Sequence, residues 1–153
     1  MSARLAAGIL LYRRLGAGFE VLVAHPGGPL WAKKDLGAWT ILKGEPVGED
    51  DALACGRREF EEETGLALAE PFQDLGEIRQ KGGKRVRAWA CEGDADPAAL
   101  ASNTFTIEWP PRSWRTASFP EVDRFAWFPP AEARRRINPA QAELIDRLQA
   151  LLG

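Results

Sequence analysis

The chain has 153 residues, of which 45% are hydrophobic and 27% are charged, a composition typical of one globular domain over residues 1–153. A formal net charge of −2 excludes the overall basic field expected of a protein that binds duplex nucleic acid. The cysteines, Cys55 and Cys91, show no metal-ligand spacing and predict reduced thiols in the cytoplasm. The apolar run "LAAGILLY" is too short to cross a membrane and predicts a strand.

The first third of the chain predicts strands followed by a long loop. The runs "ARLAAGILLYRR" and "FEVLVAHPG" are strand-like, and the intervening "LGAG" predicts a hairpin. The next segment is rich in Gly and Pro and predicts a loop with one short strand at "WTIL". A helix is expected from Asp50 or Asp51 to Thr64, because aspartates precede a run of Ala and Leu and Gly65 stops the pattern.

The rest of the chain returns to strands and closes with a helix. The runs "PFQDLGEIRQ" and "KRVRAWACEG" predict two strands around "KGG", whereas residues 92–122 predict irregular structure because they contain several prolines. "RFAWF" predicts a last strand, and Pro130 opens a C-terminal helix that breaks at Asn138-Pro139 and resumes to Leu152. This order of elements indicates the mixed α/β class.

The predicted helix carries a cluster of acids in "GRREFEEETGL". Glu59, Glu62 and Glu63 lie three or four positions apart and therefore share one helical face. Three converging carboxylates suit a hard divalent cation, which prefers oxygen ligands. A solvated helical face is the alternative interpretation of a glutamate run. Arg58 precedes Glu62 by one turn and is expected to orient it, whereas Glu61 points elsewhere.

Residues on both sides of the helix favour the metal site. The stretch "GEPVGEDDALACGRREFEEETGL" resembles the signature of the Nudix hydrolases. The matching residues are Gly44, Arg58, Glu59, Phe60, Glu62, Glu63, Gly65 and Leu66. The first glutamate of that signature falls on Asp50, with Glu49 one residue earlier, and either residue can take this position.

The resemblance implies a fold, a reaction and a set of site residues. It implies an α/β/α sandwich with a mixed β-sheet between helices, and hydrolysis of nucleoside diphosphates linked to another group. It also implies magnesium as cofactor, with manganese as the alternative, bound by Glu59, Glu62 and Glu63. Arg58 completes this catalytic group.

The resemblance does not fix which residue acts as the general base. This base is expected among the metal-binding carboxylates, with Glu121 or Asp123 of "FPEVDRFAW" as the rival. Solvated loop charges are the alternative interpretation of these two residues. Glu121 is included among the predicted catalytic residues.

Substrate contacts are expected from cations and aromatic side chains in loops. Lys43 adjoins Gly44, so it is the first choice for a phosphate contact, and Arg112 is a weaker candidate. Trp39 is one of four tryptophans in or beside predicted loops where a nucleobase could stack, the others being Trp31, Trp109 and Trp114. Structural packing is the alternative for each. Trp89 and Trp127 fall in strand patterns and predict core positions.

The substrate is the least determined feature. The segments "WTILKGE" and "AAGILLYRR" resemble the diadenosine-polyphosphate hydrolases and related predicted NTP pyrophosphohydrolases, which favours a dinucleoside polyphosphate or an NTP. House-cleaning hydrolysis of modified dNTPs is an alternative. A non-catalytic nucleotide-sensing or protein-binding domain is a third, although such domains are expected to lose metal carboxylates that this chain keeps. No nucleic-acid or membrane partner is expected, and a homodimer is compatible with the resemblance.

Overall fold

A mixed β-sheet forms the centre of the computed structural model, which describes residues 5–45, 51–100 and 102–153. The strands of this described part are β1 (Leu5–Leu15), β2 (Gly18–Pro26), β3 (Leu42–Gly44), β4 (Phe72–Arg79), β5 (Arg85–Glu92), β6 (Thr104–Glu108), β7 (Thr116–Pro120) and β8 (Val122–Phe128). Its α-helices are α1 (Ala52–Thr64), α2 (Pro130–Arg136) and α3 (Ala142–Leu152).

Six strands make the main sheet in the order β4-β5-β1-β2-β8, with β3 also paired to β1. Strands β1 and β5 are parallel, and the other pairs are antiparallel. The first half of β1 pairs with β3 through Ala7, Gly8 and Ile9, whereas its second half pairs with β2 from Tyr12 to Leu15. Strand β3, which leads into the acidic segment, is therefore anchored at the centre of the sheet.

Helices cover both faces of this sheet. Successive residues of a strand point to opposite faces, so the apolar residues of β1 supply two cores. One core joins Ala6, Leu10 and Tyr12 to residues of α2 and α3 such as Leu144 and Leu148. The other joins Ala7, Ile9 and Leu11 to Cys55 and Phe60 of α1. The α/β/α sandwich with a mixed sheet, expected from the family resemblance, is confirmed.

Two sequence-based assignments need correction. Residues 92–122 are not irregular, because β6 and β7 pair there as a separate two-stranded ribbon. Its alternation of apolar and polar residues, with Phe105 opposite Phe119 and Ile107 opposite Ala117, is short and interrupted by the proline-rich turn. The strand predicted at "WTIL" begins later, at Leu42. The predicted interruption of the C-terminal helix is confirmed, since α2 ends at Arg136 and α3 starts at Ala142.

Two further predictions concern cysteines and membranes. Cys55 and Cys91 are both buried and free of disulfide bonds. No helix within the described residues is long and apolar enough to span a membrane.

Candidate active site

Helix α1 has well-defined ends that agree with the sequence. The side chain of Asp51 accepts a hydrogen bond from the backbone N–H of Ala54 and caps the N-terminus. At the other end, Gly65 adopts the left-handed conformation with φ 76°, and its N–H donates to the carbonyl of Glu61 at 2.8 Å. A residue with a Cβ is disfavoured in this conformation, so Gly65 ends the helix after the glutamate run.

Close packing holds α1 against the sheet and against β3. A Cβ built on Gly56 lies 3.5 Å from the carbonyl carbon of Ala7, which is ordinary contact. A Cβ built on Gly44 lies only 2.3 Å from Cγ of Glu59. Only glycine therefore allows the end of β3 to approach the helix this closely, and Gly44 positions Glu59.

The carboxyl group of Glu63 faces that of Glu121. Oε1 of Glu63 accepts a hydrogen bond from Nδ2 of Asn103 at 3.3 Å, whereas Oε2 is buried without a hydrogen-bond partner among the described residues. Burial, followed by the facing Glu121, raises the pKa of Glu63. Two carboxylates cannot hydrogen-bond to each other unless one carries a proton, so the pair requires either a proton or a cation.

The backbone around Glu121 places its side chain opposite Glu63. The N–H of Glu121 donates to the carbonyl of Asn103 at 2.8 Å, and its carbonyl accepts from the N–H of Gly27 at 2.9 Å. Asp123, the rival acid, lies elsewhere: its Oδ1 is 2.8 Å from Nδ1 of the buried His25. The structure thus separates these two candidates for the base and brings only Glu121 to Glu63.

The donor set fits a divalent cation, although no closed ligand cluster is preformed. No group of three or more His, Cys, Asp or Glu side chains in residues 5–45, 51–100 and 102–153 is gathered for a metal ion. Glu59 and Glu63 are half-buried, and Glu62 is exposed on the same helix. The unpartnered buried oxygen of Glu63 beside a second carboxylate is the environment that a hard cation relieves. Both Glu49 and Asp50 lie outside the described residues.

Lys43 lies in β3 immediately before Gly44. It pairs with Gly8 of β1 in the sheet, and its side chain is half-buried. Burial, together with the nearby Lys84, lowers the pKa of Lys43. Lys84 pairs with Glu45 at 3.4 Å, whereas Lys43 has no carboxylate partner in the part of the chain that is described. An anion such as phosphate is a suitable partner for this cation.

Two predicted substrate contacts are not brought to this site. Trp39 is only 2% exposed, its ring packs edge-on against His25 and Phe128, and its Nε1 donates to Asp35. The prediction that Trp39 stacks on a base is therefore wrong, because no face of its ring is open to a ligand. Arg112 is exposed in the turn between β6 and β7, away from α1. Trp89 lies in the core as predicted, and Trp127 is partly buried against it.

Contacts between helix α1 and the segment that follows it were not predicted from the sequence. Glu61 does not point into solvent, since its Oε1 accepts from the N–H of Leu68 at 3.1 Å. Arg57 lies over the ring of Phe72 at 4.7 Å and donates to the carbonyl of Leu68. Asn103, which contacts Glu63, was also missed. No sequence signal marked it, because its segment was interpreted as irregular.

The mixed sheet between helices and the acidic face of α1 define an α/β sandwich protein with a candidate site at this helix. The family model described as NUDIX domain matches residues 2–148, so the chain belongs to the Nudix family and is a Nudix-type pyrophosphohydrolase. A search of curated proteins found no match. The arrangement of a mixed sheet between helices agrees with this assignment.

Several solved structures share this fold. The chain is similar to a C. elegans Ap4A hydrolase in a binary complex, with 19% identity and a TM-score of 0.67 over 96% of this chain and 97% of that one. It is similar to the NUDIX domain of Shewanella oneidensis NrtR complexed with ADP ribose, with 16% identity and a TM-score of 0.65 over 100% and 90%. A MutT protein from Methanosarcina mazei Go1 matches with 14% identity and a TM-score of 0.64 over 98% and 95%. These likenesses demonstrate the shared fold.

Proposed function

We propose that the protein uses a divalent metal ion, magnesium or alternatively manganese, to hydrolyse a pyrophosphate bond in a dinucleoside polyphosphate or an NTP. The observation that carries the proposal is the Glu63–Glu121 pair. One buried oxygen of Glu63 lacks a partner among the described residues, and the pKa of this group is raised. Two facing carboxylates destabilise a fold through their repulsion, whereas a bound cation relieves that repulsion.

The metal ligands in this proposal are Glu59, Glu62 and Glu63, with Glu121 facing the last of them. An ion held by these carboxylates would supply positive charge at the phosphate oxygens and a water molecule of lowered pKa for in-line attack. Arg58, one turn before Glu62, keeps that carboxylate oriented. Glu121 is the proposed general base, because its carboxylate faces Glu63 at the edge of the proposed metal site and is not one of the three proposed metal ligands.

Phosphate binding is assigned to Lys43 and the adjoining Gly44. Lys43 is a half-buried cation with a lowered pKa and no carboxylate partner among the described residues. A bound phosphate would restore the charge balance and favour the protonated ammonium group. Gly44 keeps the backbone close to Glu59, so phosphate and metal ligands are held side by side.

The proposed substrate class rests on similarity in sequence and fold. The segments "AAGILLYRR" and "WTILKGE" resemble the dinucleoside-polyphosphate hydrolases, and the C. elegans Ap4A hydrolase aligns over nearly the whole chain. Hydrolysis of modified dNTPs is the second candidate, supported by the likeness to the M. mazei MutT protein. A nucleotide sensor without activity is the third, and the NrtR domain bound to ADP ribose is its counterpart in fold.

Two assays distinguish these functions. Formation of nucleotide products from a panel of nucleotides is measured by chromatography with magnesium and again with excess chelator, and no turnover on any substrate would leave the sensor as the function. Product analysis then separates the enzyme candidates. A dinucleoside polyphosphate split into two nucleotides supports the first candidate, whereas NMP and pyrophosphate from a modified dNTP support the second.

We also propose that the protein is one domain over residues 1–153 and acts in the cytoplasm. Both cysteines are buried and neither forms a disulfide bond, as expected where thiols stay reduced. Limited proteolysis that leaves a stable fragment much shorter than the family match to residues 2–148 would contradict the single domain. Fractionation that finds the protein outside the cytoplasm would contradict the location.

A further inference from the structure

The β6–β7 ribbon ends in a tip with an exposed tryptophan. The tip comprises residues 109–115, and Trp114 within it is 93% exposed. Arg112 and Arg115 flank this side chain and are exposed as well. Within the described residues, neither arginine forms an ion pair. The tip therefore presents a large aromatic side chain beside two arginines whose guanidinium groups form no ion pair among the described residues.

This tip is held in one conformation by its own hydrogen bonds. The backbone N–H groups of four residues bond within the turn: Trp109 to the Arg115 carbonyl, Ser113 to the Pro110 carbonyl, Arg112 to the Glu108 carboxylate and Arg115 to the Ser113 hydroxyl. Arg112 and Trp114 have φ of 61° and 62°, a conformation that residues with a Cβ seldom adopt. Strained backbone of this kind is often found where a ligand is clamped.

The other end of the ribbon is attached to the candidate active site. Asn103 and Glu121 adjoin its two strands, and both face Glu63. Each strand has five residues, so the tip lies roughly 17 Å along the ribbon from Glu121. One small phosphate compound cannot contact both ends, whereas an extended substrate with a nucleoside at its far end can.

We propose that Trp114, Arg112 and Arg115 bind the distal nucleotide of a dinucleoside polyphosphate whose phosphate chain lies at Glu63. The inference rests on the proposed function for its substrate class. The aromatic face stacks on the base, and the guanidinium groups pair with the adjoining phosphate. A dimer formed through this tip is disfavoured. In a two-fold symmetric contact the same patch meets itself, so the arginines of one copy would repel those of the other.

The test measures binding without turnover. Isothermal titration calorimetry in the presence of magnesium measures the affinities for diadenosine tetraphosphate and for ATP. The two proteins compared are the Glu62→Gln variant and the same variant with Trp114→Ala added. We expect Trp114→Ala to lower the affinity for diadenosine tetraphosphate about tenfold and the affinity for ATP less than twofold, because only the longer ligand reaches the tip. Leu15→Ala, at an apolar side chain that is 50% exposed near another turn, is the matched control and should change neither affinity.

Three results would overturn the assignment. These are no measurable binding of diadenosine tetraphosphate, unchanged affinity of this ligand for the Trp114→Ala variant, or a loss of affinity by the same factor for this ligand and for ATP. If light scattering instead shows that Trp114→Ala converts a dimer to a monomer with unchanged affinity, the tip is an interface between copies. Trp114-dependent binding without hydrolysis by the unmutated protein would support the tip and contradict the proposed enzymatic substrate, so the two failures are distinguishable.

Discussion

Replacing Glu63 by glutamine should stabilise the metal-free protein and reduce its stabilisation by metal. Glu63 has one buried oxygen without a partner among the described residues, and it faces Glu121. The amide of the glutamine is a hydrogen-bond donor, so it can bond to the Glu121 carboxylate that the native carboxylate repels. The variant therefore removes an unfavourable charge and adds a hydrogen bond.

The size of this effect follows from the burial of the group. Leaving a buried polar group unsatisfied costs about 1–3 kcal/mol, and the half-buried position of Glu63 places the gain near the lower end, about 1 kcal/mol, because water screens the repulsion. For a chain of this size, that gain raises the Tm by about 2–4 °C. The measurement is thermal unfolding in excess chelator at pH 8, followed by circular dichroism.

The pH dependence of this difference has a definite sign. The raised pKa of Glu63 means that the folded protein keeps this proton to a higher pH than the unfolded chain does. The stabilisation from protonation is therefore present below the ordinary pKa of glutamate and is lost as the pH rises through the raised value. The advantage of Glu63→Gln should grow across that window and then remain constant.

A matched control and a metal titration complete the experiment. Glu62→Gln changes an exposed carboxylate on the same helix. Its free energy of unfolding in chelator should therefore differ from that of the unmutated protein by no more than about 0.5 kcal/mol, as for a surface substitution. Magnesium should raise the Tm of the unmutated protein more than that of Glu63→Gln. If Glu63→Gln is less stable than the unmutated protein in chelator at pH 8, the Glu63–Glu121 repulsion does not exist in solution and the argument is refuted.

Three further predictions test the site and its surroundings. Glu62→Gln should lower the rate of nucleotide product formation by about a hundredfold or more, because a proposed metal ligand is lost, whereas Glu61→Gln should keep most of the activity; equal loss in both variants would contradict the assigned helical face. Gly44→Ala should lower the free energy of unfolding by about 1–3 kcal/mol, since its Cβ would overlap Glu59, and urea unfolding with an unchanged midpoint would show that no close approach exists. Trp39→Ala should cost about 3–5 kcal/mol of stability, and a raised KM in a variant of unchanged Tm would restore the ligand-stacking role that burial argues against.

The sequence alone determined the helix and its acidic face. Helical spacing places Glu59, Glu62 and Glu63 together whatever the rest of the chain does, and Gly65 stops the helix through its backbone freedom. These are local properties, so they could be predicted without knowing what the helix packs against. The apolar run of β1 likewise predicted a strand.

Only the tertiary structure decided which distant residues join the helix. The partner of Glu63 is Glu121, far along the chain, and the approach depends on backbone hydrogen bonds to Asn103 and Gly27. The same long-range packing buried Trp39, which the sequence had placed in or beside a loop, and set Trp114 at the end of a ribbon. The spacing of residues along the chain predicts which side chains lie together on one helix or strand. The positions of Glu121, Trp39 and Trp114 depend instead on which strands pair and which loops those strands bring together.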